Sequence, residues 1–368
     1  MSTTNHHAAA DAARAETLAR LLREMDKEKA GEVRLFDDTR GVLDVEAIPT
    51  GAVSLDVATG IGGLPLGRMV EIYGPEMGGK TSLALSVAAS AQRHRDGFIG
   101  FIDAEHALLD QHVRDMGVDT GRLVINQPDN GEEGIANCER MITSGAFDVV
   151  IIDSVAAMLP REMIEGAIDE SGPMAAQAKL MARFMPRVVP LADVHNVMLI
   201  LINQLRSKPG VSYGPSDYTP GGRAIPFYAS VRLELSGVPK SRQIATGKVV
   251  TGQHVTVKVK KNKVGPPFRE AEYDLIFGQG IDPVSSLLEP AVRLGVITVT
   301  GRTHTVTTTG EVLGTTQDAV RQVLRENEEL RQRITDDVYA TLRRPRAPEE
   351  VPEAAPEEDP ATDSDEAA

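Results

Sequence analysis

A chain of 368 residues, 41% hydrophobic and 25% charged, carries enough apolar material for one large α/β domain with additions or for two to three smaller units. Its formal charge of −14 is concentrated, because residues 347–368 hold nine acids and no base and leave about −5 on everything before them. No apolar run approaches a membrane span and the N-terminus lacks a signal-peptide block. The single Cys138 cannot form an intrachain disulfide, so the composition predicts a cytoplasmic protein with no membrane partner.

In chain order, residues 1–7 read as frayed, and Leu18, Leu21, Leu22 and Met25 then fall at helical spacing, predicting an amphipathic helix over 11–29 that Gly31 ends. Residues 44–66 are turn-rich. A strand over 69–73 and a helix over 81–92 follow, and then apolar runs at 98–102, 123–125, 149–152 and 197–202 alternate with helical patterns. Continuous apolar runs suit strands buried on both faces, so the fold class is α/β, a mostly parallel sheet flanked by helices. Residues 230–235 and 254–260 instead alternate apolar and polar, predicting antiparallel strands exposed on one side and joined by a polar hairpin region over 237–252. A smaller α+β unit follows residue 280, with a β stretch over 296–308 and a helix in which Leu330, Ile334, Val338 and Leu342 repeat at i+4. The acidic tail, rich in Pro and Ala, is expected to be disordered. The division is 1–42, 43–280, 281–345 and 346–368, with no internal repeat.

Between the 69–73 strand and its helix stand Gly74, Pro75, Glu76, Met77, Gly78, Gly79, Lys80 and Thr81, the pattern G-x-x-x-x-G-K-T. The chemistry requires these residue types. Glycines let backbone N–H groups close around phosphate oxygens, the helix N-terminus adds positive potential, Lys80 reaches the outer phosphates and the Thr81 hydroxyl ligates Mg²⁺. A nucleotide site is predicted.

In open parallel sheets ligands bind beyond the carboxyl ends of the strands, which draws attention to the polar residues there. Asp153 closes 149–152 and suits the acid that holds Mg²⁺ through water. Glu105 follows 101–104 and suits the group that takes a proton from the water attacking a γ-phosphate, with Asp103 as its rival. Gln204 ends 199–203, where a neutral amide can sense that phosphate. Taken singly, each is equally a cap or a loop anchor.

These segments together, with GRMVEIYGPEMGGKT at 67–81, FIDAEHAL at 101–108, VVIIDSVAAMLP at 149–160, INQLR at 202–206, TPGGRAIPFYASVRLEL at 219–235 and VKVKKNKVGPPF at 257–268, resemble the bacterial-type RecA recombinase family over about three quarters of the chain. The resemblance implies a RecA-type core that binds ATP and Mg²⁺ between subunits of a helical homo-oligomeric filament on single-stranded DNA. It further implies pairing with homologous double-stranded DNA, ATP hydrolysis, and work in DNA repair and the SOS response, with loader or repressor proteins as further partners. It assigns Glu105 to water activation, Gln204 to coupling of the γ-phosphate to DNA binding, and Lys261 and Lys263 to the ATP of a neighbouring subunit; from the residues alone these two lysines read instead as a solvated basic strand end.

Two segments resemble the family's DNA-binding loops, 161–174 and 206–222. Arg161, Met174, Lys179, Arg206, Lys208, Gly221, Gly222 and Arg223 are the contacts they imply, by charge, by backbone N–H groups and, at Met174, by an apolar wedge. With no Trp and 4% aromatics, base stacking on aromatic platforms is not the main mode of binding. The family's adenine-side Asp and Tyr are replaced by Leu109 and His112, its second-loop isoleucine wedge by Pro209, and a DNA-contacting arginine by Pro186. At the second DNA site Lys258 matches, but Ser236 and Thr256 stand where arginine is usual. The N-terminal helix matches the segment that docks on the adjacent subunit, and the acidic tail matches a modulatory terminus. The same core admits two other readings, a helicase motor and an ATP-gated DNA-binding mediator.

Overall fold

The computed structural model describes residues 45–166, 172–207, 217–236 and 243–343, together with part of a helix between residues 14 and 24. The chain divides into two units, Met1–Val45 and Glu46–Ala368. In the first, Leu18 and Leu21 are helical and exposed, while Leu22 and Met25 lie outside the described residues, as does the acidic tail.

The second unit opens with β1 (Ala47–Ile48), α1 (Val53–Thr59) and β2 (Leu64–Pro65), β1 and β2 forming a small antiparallel pair. There follow β3 (Met69–Gly74), α2 (Lys80–His94), β4 (Phe98–Asp103), α3 (Asp110–Asp115), β5 (Leu123–Asn126), α4 (Gly131–Thr143) and β6 (Phe147–Asp153). The chain continues through α5 (Arg161–Glu165), α6 (Gly172–Val194), β7 (Met198–Gln204), β8 (Arg206–Ser207), β9 (Asp217–Tyr218), α7 (Ala224–Tyr228) and β10 (Val231–Leu235). Then come β11 (Gln243–Thr246), β12 (Val249–Asn262), β13 (Glu270–Ile276) and β14 (Gly280–Ile281). The central sheet runs β14-β13-β12-β10-β3-β7-β6-β4-β5, with β11 paired to β12; every pairing from β10 to β5 is parallel and the rest are antiparallel.

Alternation along each strand sends neighbouring residues to opposite faces. Val70, Ile72, Val149 and Ile151 pack with Leu83, Leu85 and Val87 of α2 and with Val255, Val257 and Tyr273 of the antiparallel strands. Met69, Val150 and Ile152 pack with Ile135, Cys138 and Ile142 of α4 and with Met181, Phe184 and Val188 of α6. Helices therefore cover both faces, as continuous apolar strands require.

One expectation is corrected. The 123–125 run is not buried on both faces: β5 is the edge of the sheet, and among the described residues Val124 and Ile125 are exposed. The alternating strands β10 and β12 pair antiparallel as expected, and β10 also pairs in parallel with β3, which makes it the junction of the two patterns. Of the segment 161–174, Arg161 opens α5 and Met174 stands in the first turn of α6, a helix that also accommodates Pro186 and Pro190.

Beyond residue 281, α8 (Leu288–Arg293), the three-stranded antiparallel sheet β15 (Ile297–Thr300), β16 (Thr303–Val306) and β17 (Val312–Gly314), and helices α9 (Gln317–Glu326) and α10 (Glu328–Arg343) enclose a third cluster. Leu330, Ile334 and Val338 are buried in it, as their spacing predicts, and Val53 and Val57 of α1 complete it from the core side.

Candidate active site

The phosphate-loop residues fall where the sequence puts them, between the end of β3 at Gly74 and the start of α2 at Lys80. Pro75 and Gly78 close a turn through Gly78 N–H to the Pro75 carbonyl, while Glu76 and Met77 are exposed at its tip. Gly79 caps α2 with φ of 86°, a left-handed conformation that glycine adopts without steric cost. Lys80 is buried, and its Nζ donates to the Pro75 carbonyl at 2.7 Å. Burial pushes the Lys80 ammonium below its ordinary range, and Asp153, Glu105 and Glu76 pull it back up.

Register brings the other groups to the same end of the sheet. Asp103 of β4 lies opposite Asp153 of β6, and Gly74 of β3 lies opposite Gln204 of β7. Thr81 Oγ1 donates to Asp153 Oδ2 at 2.6 Å. Desolvation raises the Asp153 carboxyl to about 6, against the lowering effect of that hydrogen bond. Glu105 Oε1 accepts from Ser154 Oγ and also from Gln204 Nε2 at 3.3 Å. Asp103, by contrast, is buried, and its oxygens accept from the backbone of Ala107 and Leu108 and from Gln127 Nε2. Asp103 thus faces three donors inside the protein, whereas Glu105 is exposed at the same end of the sheet and is the more accessible of the two to water.

Beside the loop lies a cavity of about 330 Å³, lined by Met77 to Ser82 on one side and by His112, Gln253, Leu275 and Phe277 on the other. His112 Nε2 is 3.3 Å from Ser82 Oγ, and burial pushes its imidazole below the ordinary value, favouring the neutral ring. Leu109 caps α3 and is exposed. Gln253, Leu275 and Phe277 were not identified from sequence. Gln253 is on β12, Leu275 on β13 and Phe277 just after it, more than 150 residues beyond α2, and only the antiparallel extension folds them against the phosphate loop.

Lys261 and Lys263 sit elsewhere. Register pairs Lys261 with Arg232 and Arg232 with Glu71, placing both lysines toward the amino ends of the parallel strands, away from their own phosphate loop. Lys261 Nζ donates to the carbonyls of Pro226 and Phe227, and Lys263 Nζ to that of Phe227, so each caps the end of α7.

Of the expected DNA contacts, Met174 and Lys179 lie on α6, Arg161 opens α5, Arg206 stands on β8, and Gly221, Gly222 and Arg223 immediately precede α7. Arg161, Met174, Lys179, Arg206, Gly222 and Arg223 are exposed, whereas Gly221 is buried; Lys208 and Pro209 lie outside the described residues. Arg206–Ser207 pairs with Asp217–Tyr218, so the ends of the second loop are held together by a short ladder.

A family model described as RecA N-terminal domain matches residues 16–282. The chain belongs to the RecA family. It is 42% identical to Protein RecA of Cutibacterium acnes over 347 residues, which is 93% of this chain and 97% of that one. Protein RecA of a Thermus thermophilus strain is 44% identical over 329 residues, 88% of this chain and 94% of its own length. Protein RecA of Syntrophus aciditrophicus is 43% identical over 308 residues, covering 84% and 88%. Among the described residues no helix is long and apolar enough to cross a membrane. RecA membership agrees with the nucleotide-binding reading of the loop and with a fold in which sheet register assembles the site.

Proposed function

We propose that this protein is an ATP-dependent DNA recombinase, forming filaments on single-stranded DNA, pairing it with homologous duplex and hydrolysing ATP when DNA is bound. The observation that carries this reading is the Gln204–Glu105 hydrogen bond at the phosphate-loop end of the sheet. It joins the residue suited to activating water to the strand that leads directly into the second loop.

In this mechanism ATP lies with its phosphates over Gly78, Gly79 and Lys80 and its base in the cavity beside His112. Thr81 and Asp153 offer hard oxygen donors at one point, which fits Mg²⁺, and a bound ion would neutralise phosphate charge there. Glu105 takes the proton of the attacking water, with Ser154 holding the carboxylate oriented. Gln204 exchanges its bond to Glu105 for the γ-phosphate, and that shift passes along β7 to Arg206 and the second loop. Lys261 and Lys263 serve the neighbouring subunit's triphosphate; their own phosphate loop lies at the other end of the strands, which supports a role across a subunit boundary. Arg161, Lys179, Arg206 and Arg223 hold DNA phosphates, joined by Lys208, with Gly221 and Gly222 offering backbone N–H groups and Met174 separating bases. Domain boundaries at 42, 280 and 345 remain part of this proposal.

The test is three-strand exchange with ATP and Mg²⁺ beside an ATPase assay with and without single-stranded DNA. Exchange together with DNA-stimulated hydrolysis is expected. Unwinding without pairing would replace the reading by a motor, and ATP-gated binding without hydrolysis by a mediator.

A further inference from the structure

Gln177 is a buried polar residue on α6, three positions after Met174, and its sequence context gives it no role. Its Nε2 donates to the carbonyls of Val155 at 2.5 Å and Ala156 at 3.1 Å, with the Met158 carbonyl at 3.5 Å. Three carbonyl oxygens around one amide end identify that end as the NH₂ group, since the other end has no proton to give. The turn it holds follows directly on Ser154, the residue whose hydroxyl donates to Glu105.

The second loop returns to the same turn. Gly221 is buried so tightly that a β-carbon there would lie 2.6 Å from Ile225 Cδ1 and 3.2 Å from both Met181 of α6 and Val155. A β-carbon on Gly222 would lie 2.9 Å from that of Ala178, the neighbour of Gln177. Pro220, just before them, accepts from Asn203 Nδ2 at 2.9 Å, and Asn203 precedes Gln204 on β7. The bonds and contacts form a closed circuit from Glu105 through Ser154, Val155, Gly221, Pro220, Asn203 and Gln204 back to Glu105, and Gln177 ties α6 to it at the Val155 turn.

We infer that Gln177 is a positioning residue, fixing the Ser154–Met158 turn to the helix that follows the first loop, so that movement of that helix on DNA binding reorients Ser154 and with it Glu105. The nucleotide site then senses DNA by two routes, Gln204 from the second loop and Gln177 from the first. No charge is involved. The coupling is geometric, and it is lost when the donor is removed even if the space is filled. This inference rests on the recombinase reading, in which the two loops meet DNA.

The experiment compares wild type, Gln177→Met and Gln177→Asn as full-length proteins. Methionine keeps the length and volume without a donor, and asparagine keeps the donor one methylene short. Each is assayed for single-stranded DNA affinity, ATP KM, and kcat with and without DNA. Expected for Gln177→Met is about a ten-fold loss of DNA stimulation of kcat, in the range of ordinary site-to-site coupling, with hydrolysis in the absence of DNA, KM and DNA affinity changed less than about two-fold. Asparagine falls between, and carries the test alone should methionine prevent folding. Equal loss with and without DNA would make Gln177 a purely structural cap and overturn the inference, as would full stimulation in both variants. A wild type that DNA does not stimulate overturns the recombinase reading itself, a result separate from either variant outcome.

Discussion

Arg232 and Glu71 are register partners on adjacent parallel strands, and Arg232 Nε lies 2.5 Å from Oε2 of a glutamate that is wholly buried. The other glutamate oxygen accepts from Asn203 Nδ2 at 3.1 Å, and the guanidinium stacks over the Tyr73 ring at 4.6 Å. Both carboxylate oxygens are therefore satisfied in the middle of the sheet, between the second-loop anchor Asn203 and the strand that carries Lys261.

Removing the arginine strands that buried carboxylate. Arg232→Met should lower unfolding stability by about 3–5 kcal/mol, the cost of a buried charge left without its partner. Urea denaturation checks this, and a loss below about 1 kcal/mol would mean that solvent reaches Glu71.

Glu105→Gln removes the proton acceptor while keeping a side chain able to bond Ser154. Steady-state hydrolysis should fall by about 10²–10⁴-fold, with ATP binding and ATP-dependent DNA binding retained. Filter-binding and phosphate-release assays run together separate the two effects, and rapid turnover in this variant would remove Glu105 as the base.

Gly79→Ala forces a left-handed residue to carry a β-carbon 3.2 Å from Leu275 Cδ2 and 3.4 Å from Gln253 Nε2. The left-handed conformation alone costs roughly 1–2 kcal/mol. Nucleotide affinity should fall at least about ten-fold as the loop shifts, measured by titration with a fluorescent ATP analogue. Unchanged affinity would show that the loop relaxes freely.

Asp56 of α1 is fully buried, accepting from Thr50 N–H at 2.8 Å and from the Tyr339 hydroxyl of α10, and desolvation raises its carboxyl to about 7. The folded protein therefore keeps a proton that the unfolded chain, with its pKa of 3.8, has already released, so stability is lost as pH rises through the interval between the two values. The advantage of Asp56→Asn over wild type should grow by about 3 kcal/mol from pH 5 to pH 8. Urea midpoints at several pH values test this, and a constant difference between the two proteins would show that Asp56 does not titrate in that interval.

Much of the fold was legible in local pattern. The glycine-lysine-threonine loop, the apolar runs of β3, β4, β6 and β7 and the i+4 stripe of α10 are each set by residues within one or two turns or one strand, and each stands where it was expected. The candidate acids were legible for the same reason, as polar residues ending apolar runs.

Tertiary structure decided what local pattern leaves open. Asp103 and Glu105 are two residues apart and chemically alike, and only the packing of the 104–108 turn and of Gln127 shows that Asp103 is buried among three donors. Gln253 and Leu275 meet the loop at Gly79 and Met77 through pairing across the sheet, and Gln177 reaches Val155 across a span of 22 residues. Sequence alone thus established the family, the phosphate loop and the strand-end carboxylates, because covalent neighbours determine those motifs. Which side chains share a hydrogen bond or a cavity depends on register and on helix placement, set by burial summed over the whole chain, and only the folded molecule expresses that sum.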